Sequence, residues 1–295
     1  MTELIEGCAG LAAVTLRAVA GAGVAIPWAR PGSKVGYAGR ILELAGVPVG
    51  WRPERVTWAE PAADCRVMLA AYARRDVMLA AAAWCRRWGA EYSEKAQRRL
   101  WEELRAEGAP NEGAADMGRE VARVAAVQAR TVPQASLQGF GGRSMGNWKP
   151  AWRASNGWRQ YPDDAPAEKL ERIGRARWPA VMLARDVREI EPRSGALLYL
   201  DPPYAGTIGY GEGDIGRADV LALAERWRAA GATVVISEAV PLAQDLGSGW
   251  SSVDIAGDRR GQVRGGANRG CVSEWVTLSG PVRASARQVG LWGGA

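Results

Sequence analysis

The stretch Ala196-Leu197-Leu198-Tyr199-Leu200-Asp201-Pro202-Pro203-Tyr204 runs five apolar residues straight into an acid, two prolines and an aromatic. A short continuous apolar run bounded by turn signals reads as a strand buried on both faces, the kind found in parallel sheets. Proline has no N–H to donate and fixes its own φ, and each proline pushes the residue before it toward extended backbone. The strand is therefore predicted to end at Asp201, with Asp201 and Pro202 in an extended turn whose carbonyls face outward. Such a turn can accept hydrogen bonds from an amino group while the Tyr204 ring stacks on a flat partner. A glycine-rich stretch, Ala205–Gly216, follows it.

Outward from this motif the chain alternates. Upstream, a helix is predicted over Ala167–Arg175 and a strand over Ala180–Leu183, ending near Asp186. Downstream come a helix over Arg217–Ala230 and, after Gly231, a β-branched strand over Thr233–Ile236 that ends in Ser237-Glu238. Alternating strands and helices predict an α/β fold with a mainly parallel sheet covered on both faces. The stretch Val272–Leu278 reads as a last strand, an antiparallel addition. At the other end, Leu4-Ile5 is a strand signal that turns through Gly7-Cys8-Ala9-Gly10 into a helix over Leu11–Val19, the Rossmann-like way of presenting backbone N–H groups to a ligand. Pro31-Gly32-Ser33-Lys34 precedes a helical stretch, Val35–Ala45, and a second strand over Arg55–Trp58 ends in Glu60-Pro61. An acid after a second strand is where nucleotide-type ligands place a ribose. Residues Ala62–Glu107 carry helical spacing, with Met68, Leu69, Tyr72, Met78 and Leu79 expected in the core, and a further helix is predicted over Ala114–Gln128.

Composition removes several classes of chemistry. The chain has 295 residues, four cysteines without a C-x-x-C pair, and no histidine, which argues against zinc sites, Ser-His-Asp triads and Cys-His dyads. No metal is expected. The acidic start (Glu3, Glu6) is unlike a signal peptide, and no apolar run approaches the roughly 20 residues of a membrane span, so a cytoplasmic, reduced protein is expected. The net charge of +6 is modest, but it is unevenly spread. Val121–Pro162 contains no acid and holds Arg123, Arg130, Arg143, Lys149, Arg153 and Arg159; Arg259–Ser273, also without acids, holds Arg259, Arg260, Arg264 and Arg269. Between Val132 and Pro162 the basic residues are interleaved with Phe140, Trp148, Trp152, Trp158 and Tyr161, which suits base stacking and phosphate contact. Residues 116–164 are read as a basic, aromatic insert for nucleic-acid recognition, and 1–115 with 165–295 as the main domain.

The ordered set of motifs resembles the Dam-type (D12 class) DNA adenine-N6 methyltransferases, across most of the chain. Asp201-Pro202-Pro203-Tyr204 matches their catalytic motif. Glu6-Gly7-Cys8-Ala9-Gly10-Leu11-Ala12-Ala13 is similar to the family's Glu-Pro-Phe-Ala-Gly-Gly-Gly-Ala turn, with Gly7 and Cys8 standing where the family has Pro-Phe. Gly139-Phe140-Gly141-Gly142-Arg143 and Gly146-Asn147-Trp148 fall where the family has an Asn- and Gly-rich Phe-Asn-Gly-Leu-Arg stretch. Asp186-Val187 resembles the Asp-Phe before the catalytic strand, and Glu274-Trp275-Val276-Thr277 the Glu-Leu-Leu-Ile of the closing strand. Ala29-Arg30-Pro31-Gly32-Ser33-Lys34 is similar to the family's Trp-Ala-Gly-Gly-Lys segment but follows the glycine turn instead of preceding it.

The resemblance implies a Rossmann-like S-adenosylmethionine-dependent methyltransferase fold that methylates the N6 amine of a flipped-out adenine in DNA. It implies catalytic Asp201, Pro202, Pro203 and Tyr204. Glu6, Gly7, Cys8, Ala9, Gly10, Lys34, Glu60, Asp186 and Asp201 would lie around the cofactor, with Glu60 on the ribose hydroxyls and Asp186 on the cofactor's adenine. Arg143, Trp148, Lys149, Arg153, Arg159, Arg264 and Arg269 are the expected DNA contacts. A role in restriction-modification or in the self-protection of a phage would follow. The amine chemistry is shared by cytosine-N4 and RNA adenine methylation. The altered glycine turn leaves open a non-catalytic nucleic-acid-binding protein of the same fold.

Overall fold

The computed structural model describes residues 1–21, 24, 26–28, 34–89, 94–129, 164–204, 215–255 and 274–280. Among the described residues seven strands form one sheet: β1 (Glu3–Gly7), β2 (Arg55–Ala59), β3 (Ala180–Ala184), β4 (Leu197–Leu200), β5 (Thr233–Glu238), β6 (Trp250–Asp254) and β7 (Trp275–Ser279). Their spatial order is β3-β2-β1-β4-β5-β7-β6. The pairs β1–β2, β1–β4, β2–β3 and β4–β5 are parallel, while β7 runs antiparallel to both β5 and β6. This is the doubly wound order with one reversed strand inserted near its end. The fold is α/β with a mostly parallel, mixed sheet, as the alternation of apolar runs predicts.

Every residue of β1 and β4 is buried, as expected of central strands covered on both faces. Side chains alternate between two apolar layers. Leu4, Val56, Trp58, Leu197 and Tyr199 face the larger layer. It is completed by α1 (Ala13–Val19), α2 (Ala38–Leu44), α3 (Ala63–Tyr72), α4 (Arg75–Gly89), α6 (Met117–Ala129) and α7 (Asp164–Arg175). Ile5, Ala59, Leu198, Leu200 and Ile236 face the other layer, which is covered by α8 (Arg217–Ala229) through Val220, Leu223, Ala224 and Trp227. Helix α5 (Glu94–Ala106) packs against α6, and α9 (Ala243–Leu246) beside β6. Met68, Leu69, Tyr72 and Met78 are fully buried, as their spacing predicts, and Leu79 is half-buried.

Several boundaries move for local reasons. The first helix starts at Ala13, because Ala12 is left-handed (φ 52, ψ 52). The second starts at Ala38, because the Lys34 carbonyl accepts from both Tyr37 N (2.8 Å) and Ala38 N (2.7 Å) in the preceding turn. Strand β6 and helix α9 were not read from the sequence. Among the described residues strand β6 is paired on one side only, and it is largely half-exposed, so it carries little apolar patterning. The first helix of the segment read as an insert, α6, buries Val121, Ala122, Val124 and Ala125 in the larger layer, so it is part of the body of the domain. Arg123 is corrected with it. Its guanidinium is 2 % exposed, paired with Glu120 and donating to the carbonyls of Leu104, Gly108 and Ala109, so it cannot track phosphates.

Candidate functional site at the switch point

Strands β1 and β4 are neighbours, yet the chain leaves them in opposite directions: β1 leads through α1 and α2 to β2, and β4 leads through α8 to β5. A crevice opens at the carboxyl ends of two such strands, where open α/β sheets bind their ligands. Asp201 stands at that point. Its N–H donates to the Gly7 carbonyl (3.2 Å), adding one rung to the β1–β4 ladder, and the two prolines, without donors, end it. The Asp201 side chain is 19 % exposed, and its Oδ1 pairs with Lys34 Nζ at 2.7 Å. Lys34, 3 % exposed, also lies 3.7 Å from Glu274 Oε1 and 4.8 Å from the centre of the Tyr204 ring. The Tyr204 hydroxyl donates to Glu274 Oε1 at 2.5 Å. Glu274 reaches this edge because β7 is reversed: its first residues start where the parallel strands finish. Glu238, buried at the end of β5, accepts from its neighbour Ala239 N at 2.7 Å.

The electrostatics follow from burial. Desolvation pushes Asp201 up to about 6; the Lys34 ammonium opposes this, and Glu274 and Glu238 reinforce it. The Tyr204 phenol is held well above its ordinary value by burial first, then by the charges of Asp201 and Glu274 and the hydrogen bond it donates. Near neutral pH the site therefore combines an ionised but easily protonated carboxylate with a phenol that keeps its proton.

Beside it lies the glycine turn. Gly7 is required by close packing: a Cβ there would come within 2.7 Å of Leu200 Cδ2 and 2.9 Å of Val187 Cγ2. Cys8 (φ 55), Gly10 (φ 53) and Ala12 (φ 52) are all left-handed, with Ala9 and Leu11 between them at negative φ. Alternation of hand curls the backbone tightly, and its N–H groups at Ala9, Gly10 and Ala12 are taken up within the chain. Cys8 and Ala12 hold this conformation at a cost of order 1–3 kcal/mol each. Gly10 N donates to Glu60 Oε2 at 2.6 Å, Ala62 N donates to Glu60 Oε1 at 2.9 Å, and Ala9 N to Ala59 O at 3.0 Å. Glu60, 3 % exposed, thus clamps the turn after β1 to the end of β2. Arg66 in turn donates to the carbonyls of Glu60 and Pro61 and pairs with Glu112 at 2.6 Å.

Glu6 lies beneath the turn. Ala12 has no side chain able to cap α1, and Glu6 does so from β1, accepting from Val14 N (3.3 Å), Thr15 N (2.9 Å) and Thr15 Oγ1 (2.6 Å). A carboxylate at a helix N-terminus is favoured by the helix dipole, yet burial raises its pKa to about 7. Asp186, after β3, accepts from Arg188 N at 2.8 Å and pairs with the Arg188 guanidinium at 2.5 Å, which holds its carboxyl below the usual range.

Of the residues picked from the sequence, Asp201, Pro202, Pro203, Tyr204 and Lys34 meet in one cluster, and Gly7, Cys8, Ala9, Gly10 and Glu60 form the adjoining turn. Lys34 reaches Asp201 although its segment follows the glycine turn. Glu6 supports that turn from below with its oxygens committed to α1, and Asp186 lies just past the end of β3, next to Val187, which presses on Gly7 of the same turn. Glu274 and Glu238 were not picked as site residues. Strand direction is the signal that locates both, since an acid ending a parallel strand and an acid opening a reversed neighbour arrive at one edge. Arg143, Trp148, Lys149, Arg153, Arg159, Arg264 and Arg269 lie outside the described residues. Among the described residues no group of three or more His, Cys, Asp or Glu side chains is placed to hold a metal ion. No helix there is long and apolar enough to cross a membrane. No family model and no curated protein matches the chain.

Proposed function

We propose that the chain transfers a methyl group from S-adenosylmethionine to the N6 amine of an adenine flipped out of DNA. The observation that carries this reading is the Asp201-Pro202-Pro203-Tyr204 turn at the carboxyl end of a central strand, at the switch point, beside the tight glycine turn that follows β1. S-adenosylmethionine, when bound, supplies an electrophilic methyl on a sulfonium, so the reaction asks no metal of the protein. The acids at this edge are chemically suited to it: the Glu60 carboxylate for a diol, and Asp186 for an amine-bearing base.

An exocyclic amine is a poor nucleophile, because its lone pair is delocalised into the ring. Asp201 and the Pro202 carbonyl accept its two hydrogens and draw the nitrogen toward tetrahedral geometry, and Tyr204 stacks on the base. Lys34 bonds Asp201 Oδ1, so Oδ2 is the oxygen assigned to the amine. The nitrogen releases one proton on methylation, and a carboxylate with a value of about 6 takes it and returns it to water. Holding both reactants in line supplies much of the rate. Nucleoside mass spectrometry of DNA from cells expressing the protein tests the reading. N6-methyladenine is expected; its absence overturns the reading, and N4-methylcytosine, or N6-methyladenine in RNA alone, redirects it to the rival substrates.

One observation favours a second reading, a non-catalytic nucleic-acid-binding protein. Glu60, Asp186 and Asp201, the three acids assigned to ligands, are each engaged within the chain. Calorimetry with S-adenosylmethionine decides: measurable binding supports the enzyme, and none at millimolar cofactor supports the binder.

A further inference from the structure

We infer that Glu274 is a positioning residue for Tyr204, accepting the phenolic proton so that the ring is fixed at both ends across the mouth of the site. The backbone end of Tyr204 hangs from β4 through two prolines, whose φ angles are fixed by their rings. The hydroxyl end reaches Glu274 Oε1, 2.5 Å away at the start of β7. In the sheet β5 lies between β4 and β7, so the bond joins segments that flank two strands that are not neighbours. Glu274 is itself held. Its carbonyl accepts from Ile255 N at 2.7 Å, and its carboxylate is balanced by Lys34 at 3.7 Å. Lys34 completes the cradle, with its ammonium 4.8 Å from the Tyr204 ring centre and 2.7 Å from Asp201. A tyrosine hydroxyl taken out of water needs some acceptor, and a neutral carbonyl would serve. Here a mostly buried carboxylate, 10 % exposed, is kept there by a buried cation that also grips Asp201. Ring plane and carboxylate are thereby set relative to one another by one lysine and one glutamate.

The functional consequence rests on the methyltransferase reading; the tether does not, and the test separates them. In the full-length protein 3-fluorotyrosine is incorporated at position 204 alone, and its fluorine resonance is followed in the wild type, Glu274→Gln and Glu274→Ala. The resonance is expected to move in Glu274→Ala and to stay near the wild-type position in Glu274→Gln, whose amide oxygen accepts the same proton. A resonance identical in all three overturns the tether. In parallel, methyl transfer to a random-sequence DNA pool is measured for Tyr204→Phe, Glu274→Ala, Glu274→Gln and the double variant Tyr204→Phe/Glu274→Ala. Each of the first two is expected to lose about ten-fold in kcat, the scale of one hydrogen bond to a charged acceptor, with the KM for S-adenosylmethionine nearly unchanged. The double variant should lose no more than either single one, and Glu274→Gln should recover most of the loss. Additive losses, or wild-type kcat in Glu274→Ala, overturn the positioning role. A fluorine shift in Glu274→Ala together with a wild type that transfers no methyl refutes the methyltransferase reading and leaves the tether standing.

Discussion

Asp201 is asked to do two things that conflict: to accept hydrogens from an amine as a carboxylate, and to survive burial beside Glu274 and Glu238. Lys34 reconciles them, since its ammonium is the main influence pulling the Asp201 value back down to about 6. Asp201→Asn keeps the shape and loses the charge, so methyl transfer should fall about 100- to 1,000-fold while S-adenosylmethionine affinity measured by calorimetry holds; near-wild-type turnover would exclude the mechanism. The ionised form is the working one, so the rate should climb with pH through about 6. Lys34→Met should move that rising limb to higher pH, and a limb that stays put or moves lower would show that Lys34 does not set the charge on Asp201. Glu6 makes a separate prediction about stability. Its folded value of about 7 lies above its ordinary value of 4.5, so the native chain keeps the proton between the two and loses stability as pH rises through that window. The loss is of order 3 kcal/mol. Glu6→Gln, which cannot ionise, should flatten the difference between denaturant melts at pH 4.5 and pH 7.5, and an undiminished slope would assign the effect elsewhere.

At the scale of elements, the turn between β1 and α1 shows how small residues serve different ends. Gly7 is small because Leu200 and Val187 press on it; Gly7→Ala should cost about 1–3 kcal/mol in overpacking. Ala12 is strained and not crowded out. Replacing a left-handed alanine by glycine relieves roughly 1–2 kcal/mol, against about 0.5–1 kcal/mol of lost backbone entropy and about 0.8 kcal/mol for the buried methyl, so Ala12→Gly should be close to neutral. Equilibrium unfolding of the two variants checks the pair, and an Ala12→Gly as costly as Gly7→Ala would contradict a strained, left-handed backbone at φ 52. A G-x-x-G pattern was legible in the sequence, but the separate reasons for its residues were not, because one glycine answers to a neighbour about 190 positions away on β4. Strands with continuous apolar runs, β4 and β5, were legible for the opposite reason: burial on both faces leaves a purely local signature. Strand β6 left none, since an edge strand paired on one side draws its stability from β7 and from the Trp250 bond to Glu225 (2.7 Å).

For the whole molecule, the sheet order decides which acids can share a ligand. Alternating apolar runs made the parallel sheet legible, yet not the order of its strands, so Glu60 and Asp186 looked equivalent: each an acid just after a strand. In the fold they differ. Glu60 follows β2, beside the central β1, and its two oxygens hold Gly10 N and Ala62 N, joining the ends of two strands. Asp186 follows β3 at the sheet's edge and is paired only two residues away, with an Arg188 that is 41 % exposed. A surface pair of that kind contributes little to stability, whereas two buried N–H groups stripped of their acceptor cost about 1–3 kcal/mol each. Glu60→Ala should therefore lower both the melting temperature and the affinity for S-adenosylmethionine, while Asp186→Ala should lower affinity and leave the melt within a degree or so of wild type. Thermal melts and calorimetry on the same preparations separate scaffold from ligand contact. Unchanged cofactor affinity in both variants would remove these acids from the ligand site, and a melt lowered equally in both would mean that the edge of the sheet carries more of the fold than its exposure allows.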